Sequence, residues 1–289
     1  EFNYLELNDP ATWSEYLIFR YKIRIYPVHK QLLDFPIHLL VEPTSVCNIR
    51  CTMCFQADES FRAPKYMGMM KLNLYKKVID EAQKEGAKAL TLASRGEPTL
   101  HPDFFELLSY ANGKFLDFKL NTNATRLDEA KCRAILDQGI TELVFSVDSY
   151  FKKEYESIRV GANFDQVVEN IERFKSIRDN QYPASKCRTR ISGVKVSPDF
   201  DTEAFVQFWN KRVDFVACMD MQSRWDMYNN PSSSHTHPCS LLWERAYIWY
   251  DGTVNPCDYD YKSLLKVGNA KESMIRDLWK SQKYNLLRD

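Results

Sequence analysis

Three cysteines stand close together in the segment CNIRCTMCF, residues 47–55. Their C-x3-C-x2-C spacing lets one loop offer three thiolates to three irons of a cubane cluster, while backbone amides of the loop point at the sulfides. A complete structural site would need a fourth cysteine, and none lies nearby in the sequence. The pattern therefore indicates an iron–sulfur cluster whose fourth iron is open to an exogenous ligand.

A structural zinc site is the alternative interpretation of the same cysteines. Zinc favours paired C-x2-4-C spacing with a second pair of cysteines or histidines downstream. His235, His237 and Cys239 could serve as that second group. The spacing inside the cysteine segment suits iron better, but a non-catalytic metal-binding protein stays open as a different class of function.

Composition narrows the partners that this chain can have. The 289 residues include 39 Lys and Arg against 39 Asp and Glu, with the charges dispersed, so neither nucleic acid nor an anionic membrane is an expected partner. No apolar run approaches the roughly 20 residues of a membrane span, and the first residues do not resemble a signal peptide. Eight cysteines without an export signal then predict reduced thiols and a cytoplasmic location.

Strand-like and helix-like patterns alternate after the cysteines. Asp9 and Pro10 predict the start of a leader helix, and a buried strand within 35–43 directly precedes the cysteine segment. Five further strands are predicted over 88–94, 117–123, 142–149, 189–197 and 214–220, with amphipathic helices over 73–86, 126–139 and 164–179. Six such units predict an α/β fold, a partial (βα)6 TIM-like barrel.

The alternation breaks near residue 222, where a polar, turn-rich stretch begins. Beyond it the sequence predicts a hairpin turning at Asp251-Gly252 and a closing helix over 272–289. We therefore expect an N-terminal helical leader (1–36), a barrel core (37–222) and a small C-terminal subdomain (223–289). Cys239 and Cys257 are placed to bind an auxiliary cluster that would stabilise this small subdomain.

C-x3-C-x2-C after the first strand of a βα array resembles the signature of the radical S-adenosylmethionine (SAM) enzymes. The segment SRGEPTLHP resembles the family's glycine-glutamate-proline motif, which implies that Gly96, Glu97 and Pro98 line the amino group of SAM. Two further strand ends resemble family positions as well: Asn121 and Asn123 on the third strand, Ser146 and Asp148 on the fourth. Each of these taken alone could also be an ordinary turn or helix cap.

The resemblance implies specific cofactor chemistry. Cys47, Cys51 and Cys54 would hold a [4Fe–4S] cluster, SAM would bind its open iron, and Ser146 and Asp148 would contact the ribose or carboxylate of SAM. Reductive cleavage of SAM would give a 5'-deoxyadenosyl radical that takes a hydrogen atom from substrate. The residue before the third cysteine is often aromatic in the family; here Met53 and the following Phe55 would meet the adenine.

The stretch from Cys239 to Cys257 resembles the opening of the SPASM or twitch extension, in which Gly252 takes the position of a glycine five residues before the cysteine. The family continues with a further cysteine pair, which residues 258–289 lack. Either a tail lies beyond this sequence, or Cys218, Asp258, Asp260 or substrate completes the second cluster. Alternatively, Cys239 and Cys257 are ordinary buried thiols.

A second cluster near substrate favours oxidation, and the short N-terminal region favours a small polar substrate such as a sugar or aminocyclitol. The sequence therefore predicts a radical SAM oxidoreductase served by a flavodoxin- or ferredoxin-type electron donor. Two alternatives stay open: an epimerase in which Cys218 returns the hydrogen atom, and an enzyme that modifies peptides.

Overall fold

A nine-stranded sheet organises the computed structural model, which describes residues 9–221, 227–229 and 237–289. Its strands follow the order β11-β10-β9-β1-β3-β4-β5-β7-β8, and β2 pairs with β6 outside this sheet. The strands are β1 (His38–Val41), β2 (Arg50–Cys51), β3 (Ala89–Leu92), β4 (Asp117–Thr122), β5 (Glu142–Ser146), β6 (Arg159–Val160), β7 (Arg188–Lys195), β8 (Phe215–Asp220), β9 (Arg245–Ile248), β10 (Thr253–Asn255) and β11 (Gly268–Asn269).

Nine α-helices accompany the strands in the described part of the chain, and all but the first contribute buried residues to the main hydrophobic core. They are α1 (Trp13–Val28), α2 (Leu72–Lys84), α3 (Phe104–Ala111), α4 (Glu129–Asp137), α5 (Lys152–Ile158), α6 (Phe164–Gln181), α7 (Thr202–Trp209), α8 (Ile275–Trp279) and α9 (Gln282–Asn285). None of those in the described part of the chain is long and apolar enough to cross a membrane.

Local sequence explains where the helices begin and end. In α2, Leu74, Val78 and Ala82 recur at helical spacing and are buried in the main core, and Gly86 follows with a left-handed φ of 83°. The side chains of Asp128 and Asn163 cap α4 and α6, because each accepts a hydrogen bond from a backbone N–H at 2.9 Å. These caps fix where each helix leaves the carboxyl end of a strand.

The six strands predicted for the barrel are confirmed as β1, β3, β4, β5, β7 and β8, all parallel to their neighbours. The α/β fold with a partial TIM-like barrel is thereby confirmed. The predicted hairpin at Asp251-Gly252 is confirmed as β9 and β10. The closing helix is instead two short helices, α8 and α9, interrupted at Lys280 and Ser281.

Strand register divides the sheet residues between two faces. Ser146 pairs with Ser192, and Asn121 pairs with Val144, so Asn121, Ser146 and Ser192 share one face, here called the inner face. Neighbouring residues such as Leu120 and Ile191 point the other way, into the main hydrophobic core. The inner face is therefore where side chains at the strand ends can meet a ligand.

β9 lies parallel to β1, with His38 opposite Arg245 and Val41 opposite Ile248. The C-terminal region therefore continues the barrel sheet, although the sequence predicted an appendage beside it. The division into 1–36, 37–222 and 223–289 stays a prediction, but the main-chain pairing runs across its last boundary.

Candidate active site

The cysteine loop is anchored at both ends by main-chain contacts. Within it, β2 pairs antiparallel with β6, so Cys51 lies opposite Arg159. The Arg50 guanidinium folds back over the loop and donates to the carbonyl oxygens of Cys47, at 2.6 Å, and Ile49, at 2.8 Å. Strand pairing and the Arg50 side chain together fix the conformation of the loop that carries the three thiols.

The three thiols lie close enough to influence one another. Burial, with a smaller contribution from the neighbouring Cys51, raises the pKa of Cys47 to about 11 and that of Cys54 to about 12. Burial also raises the pKa of Cys51, while the Arg159 guanidinium opposes the shift. Because iron binds thiolates, loading this site must release protons.

Hydrogen-bond donors approach each sulfur. Asn123 Nδ2 lies 3.9 Å from Cys47 Sγ, Arg159 Nη1 lies 3.7 Å from Cys51 Sγ, and the backbone N–H of Gln56 lies 3.5 Å from Cys54 Sγ. Such donors offset the negative charge of thiolate ligands. Across the described residues, no three His, Cys, Asp or Glu side chains surround a single metal ion. The donors beside the three sulfurs suit thiolate ligands of an iron–sulfur cluster.

The predicted Gly96–Pro98 segment packs directly against the strand-to-cysteine connection. A Cβ on Gly96 would come within 2.3 Å of the Thr44 carbonyl oxygen and 2.5 Å of the Val46 carbonyl oxygen, so this close approach needs glycine. The Glu97 N–H donates to the Val46 carbonyl oxygen at 2.9 Å. The motif predicted to meet SAM is thus fixed to the loop predicted to hold the cluster.

The Glu97 carboxylate is fully occupied by neighbouring donors. Glu97 Oε1 accepts from Thr99 and from the Thr122 hydroxyl at 2.8 Å, and Oε2 accepts from the Asn123 N–H at 2.7 Å. Burial raises its pKa, and these donors oppose the shift. Glu97 therefore ties the end of β3 to the end of β4, which positions Asn123 beside Cys47.

Two non-glycine residues at these strand ends have left-handed backbone angles. Ser94, after β3, has a φ of 108°, and Ala124, after β4, has a φ of 61°. Strained backbone of this kind concentrates at functional sites. The Ser94 hydroxyl oxygen is buried and has no hydrogen-bond partner among the described residues, which makes it a candidate donor to a ligand.

Asp148 and Arg159 form a pair that sequence patterns did not predict. Asp148 is fully buried, its Oδ1 accepts from the Val194 N–H at 2.9 Å, and its Oδ2 lies 2.7 Å from Arg159 Nη2. Burial raises the pKa of Asp148, whereas Arg159 opposes the shift. Arg159 Nε has no hydrogen-bond partner among the described residues. Arg159 is therefore a candidate to bind an anionic ligand, and Asp148 is the carboxylate paired with it. The position of Arg159 after α5 carried no sequence motif.

The other predicted cofactor contacts fall in different surroundings. Asn121 and Ser146 lie half-buried on the inner face, and Met53 lies half-buried within the cysteine loop. Phe55, by contrast, is only 3% exposed and stacks on Tyr261 with ring centroids 5.2 Å apart. Phe55 therefore packs in the aromatic cluster of the structure, and the contact of Met53 with the adenine stays a prediction.

Cys239 and Cys257 lie in the C-terminal region, one on each side of β9 and β10. Cys239 is exposed at the start of a 3-10 turn over 240–243, and Cys257 is half-buried just after β10. Burial raises the pKa of Cys257 to about 11, and both Asp258 and Cys239 contribute in the same direction. Their role as ligands of one auxiliary cluster stays a prediction.

Two of the additional ligands considered for that cluster are otherwise engaged. Asp260 Oδ1 accepts from the Tyr228 hydroxyl at 2.7 Å and Oδ2 accepts from the Leu265 N–H at 2.7 Å. Cys218 pairs in register with Gly193 and packs against the core on the face opposite Ser146 and Ser192. This placement supports neither a ligand role nor the hydrogen-donor role of Cys218. His235 lies outside the described residues.

A profile of the radical SAM superfamily matches residues 41–208 of the chain. The chain belongs to this superfamily. A second profile, described as an iron-sulfur cluster-binding domain and named SPASM, matches residues 239–289. A radical SAM domain uses a [4Fe–4S] cluster with SAM, and a SPASM domain carries auxiliary iron–sulfur binding. The cysteine loop fits the [4Fe–4S] cluster, the Gly96 segment fits SAM, and the free thiols of Cys239 and Cys257 fit the auxiliary cluster.

The chain is similar to a cysteine-type anaerobic sulfatase-maturating enzyme of Clostridium novyi, with 25% identity over 240 residues, 77% of this chain and 56% of the relative. The first curated relatives match over shorter stretches, so the chain spans only about a third of their length.

Among solved structures, Streptococcus suis SuiB bound to precursor peptide SuiA has a TM-score of 0.70 at 16% identity, covering 98% of this chain and 73% of that one. BtrN in complex with AdoMet and 2-DOIA has a TM-score of 0.59 at 18% identity, covering 87% and 85%. Both show the shared fold.

Proposed function

We propose that this chain is a radical SAM enzyme that modifies a side chain of a peptide or protein substrate. The observation that carries the proposal is the similarity to the sulfatase-maturating enzyme, which extends over 77% of the chain. That relative is named for acting on a polypeptide. This proposal replaces the sugar or aminocyclitol oxidation expected from the sequence, which the comparisons do not support, and leaves the oxidoreductase class open.

The proposal assigns a role in cofactor binding to the residues of the candidate active site. Cys47, Cys51 and Cys54 hold the cluster, and Arg159 faces the carboxylate of SAM. The Ser94 hydroxyl and the Gly96–Pro98 backbone lie beside its amino group, and Cys239 and Cys257 contribute to the auxiliary cluster. When bound, the reduced cluster and SAM supply radical chemistry, in which SAM is cleaved and a hydrogen atom is removed from the substrate. A flavodoxin- or ferredoxin-type donor would provide the electron.

The edge strand β8 is evidence in favour of an extended peptide substrate. Among the described strands β8 has a neighbour, β7, on one side only. Its Phe215 and Met219 lie in register with Arg190 and Val194 on the inner face, and they are 39% and 58% exposed. An apolar, unpaired strand edge beside the inner face is a surface on which an extended peptide can pair and pack.

The test uses anaerobically reconstituted, reduced protein. Synthetic peptides that contain cysteine or serine are compared with a panel of amino sugars and aminocyclitols for stimulation of SAM cleavage and for a mass change in the added compound. We expect only peptides to be altered. If an amino sugar or aminocyclitol is modified and no peptide is, the peptide assignment is overturned.

Matched cysteine variants check the radical SAM chemistry separately. Cys54→Ala removes a proposed cluster ligand and should abolish SAM cleavage, because the cluster loses one of its three protein ligands. Cys132→Ala removes a buried thiol that packs in the main core and should leave cleavage largely intact. Equal activity in the two variants would contradict the assignment of the cysteine loop.

A further inference from the structure

A buried ion pair lies where three segments of the chain meet. Glu42 follows β1, and Arg95 directly precedes Gly96; their side chains are 0% and 3% exposed. Arg95 Nε donates to Glu42 Oε2 and Arg95 Nη2 donates to Glu42 Oε1, both at 2.6 Å. This is the two-pronged geometry that only arginine provides.

The same pair reaches into the C-terminal region. Arg95 Nη1 donates to the Tyr261 carbonyl oxygen at 2.7 Å, and the Tyr250 N–H donates to Glu42 Oε1 at 3.3 Å. The Trp249 ring lies 4.3 Å from the guanidinium carbon and encloses it. Residues on both sides of Cys257 are therefore bound to the residue before Gly96.

Arg95 also contacts the cysteine loop through its main chain. Gln56, two residues after Cys54, donates from Nε2 to the Arg95 carbonyl oxygen at 2.6 Å and to the Ser45 carbonyl oxygen at 2.8 Å. One residue thus links the cluster loop, the predicted SAM segment and the region of the second cysteine pair.

Stability alone does not explain this pair. Desolvating two charges offsets most of their attraction, so a well-packed apolar pair at the same place would be about as stable. The ion pair adds directional contacts: the Glu42 carboxylate, the Arg95 guanidinium, the Tyr250 N–H and the Tyr261 carbonyl must meet in one geometry before both charges are satisfied.

We propose that Arg95 is a positioning residue that holds the Gly96–Pro98 segment in register with the C-terminal region, so that SAM binding and the order of residues 250–261 are coupled. The proposal rests on the SAM site of the family and not on the substrate class. Coupling of this kind is reciprocal: if SAM orders residues 250–261, their disorder weakens SAM binding.

Arg95→Lys tests the coupling in the reconstituted full chain. Lysine keeps the positive charge beside Glu42 but has no planar fork, so it cannot reach both Glu42 oxygens and Tyr261 together. In the wild type, added SAM should slow amide hydrogen exchange over 250–261. In the variant that protection should disappear, and the Kd for SAM should rise about tenfold. Both readouts are independent of turnover.

The matched control is Arg133→Lys, which alters the exposed Arg133–Glu129 pair, also made through two guanidinium nitrogens. It should change neither measurement. If Arg95→Lys does not fold, Glu42→Gln keeps the volume and one acceptor, and the same loss of protection is expected. A lower melting temperature with an unchanged Kd and retained protection over 250–261 would show a merely structural role and overturn the proposal. Absence of SAM binding in the wild type would instead contradict the SAM site itself.

Discussion

Arg159 shows how one side chain can serve two parts of the site. Its guanidinium reaches Cys51 Sγ at 3.7 Å with one nitrogen and Asp148 at 2.7 Å with another. The charge beside the thiol favours its ionised form, and Asp148 keeps the guanidinium fixed in direction. The third nitrogen, Nε, has no hydrogen-bond partner among the described residues, and in the proposed function it would donate to the carboxylate of SAM.

This geometry predicts the behaviour of Arg159→Lys. The ammonium keeps one positive charge near Asp148 but cannot span Cys51, Asp148 and a carboxylate at once. We expect iron and sulfide content close to wild type and a Kd for SAM about tenfold higher, measured by calorimetry on the unreduced protein. Arg190→Lys is the control, because Arg190 pairs with Glu142 at the start of β5. Unchanged SAM affinity in Arg159→Lys would contradict the role of Arg159.

The sequence predicted the residue types that make the chemistry but not all of their contacts. Cysteine spacing identified the cluster loop, because local spacing alone limits which irons the thiols can reach. Phe55 and Asp148 were assigned to cofactor contacts, which stay predictions, and the structure adds contacts that the sequence did not predict: Phe55 packs on Tyr261 and Asp148 pairs with Arg159. Tyr261 lies far along the chain from Phe55, and Arg159 lies beyond a helix from Asp148, so only tertiary packing could reveal these partners.

At the scale of elements, strands were easier to predict than helices. Strands such as β3 are buried on both faces and read as continuous apolar runs. The helices α3, α5 and α7 have seven or eight residues each and were not singled out, because two turns give little periodicity to detect. The parallel pairing of β9 with β1 was also missed, since a hairpin pattern does not specify which edge it joins.

A buried histidine on β1, His38, should make the folding stability depend on pH. His38 Nε2 shares a hydrogen bond with the Thr91 hydroxyl at 2.8 Å, and Nδ1 lies 3.7 Å from Glu244. Burial lowers the pKa of His38 from its usual 6.5; Arg245 acts in the same direction, and Glu244 and Asp117 oppose it. Below pH 6.5 the unfolded chain therefore binds a proton that the folded chain resists.

Folding stability should accordingly fall as pH drops below 6.5. The loss attributable to this group is at most about 1.4 kcal/mol per pH unit, and His38→Gln should remove it. The measurement is the free energy of unfolding in urea at about pH 7.5 and about pH 5.5. The exposed His29→Gln is the control and should keep the wild-type slope. A His38→Gln slope equal to the wild type would show that other groups carry the acid sensitivity.

On the scale of the whole molecule, the C-terminal region is tied to the barrel by more than the β9–β1 pairing. Trp279, in α8, is fully buried, and its Nε1 donates to the Leu33 carbonyl oxygen at 2.9 Å just before β1. Arg288 lies over the same ring with its guanidinium carbon 4.2 Å from the centroid. The helices α8 and α9 are therefore packed against the segment that leads into β1, the strand before the cysteine loop.

We expect the described regions 9–221 and 237–289 to open as one cooperative unit, and Trp279→Ala tests this. Removing the ring leaves a cavity and an unsatisfied carbonyl, which should cost about 3–5 kcal/mol. Because β1 and β9 share main-chain hydrogen bonds, native-state hydrogen exchange should speed up equally in both strands. Leu286→Ala is the control: this side chain, just after α9, is 66% exposed, so its removal should change neither the unfolding free energy nor the exchange rates of the two strands. Faster exchange in β9 with unchanged protection in β1 would show instead that the C-terminal region opens on its own.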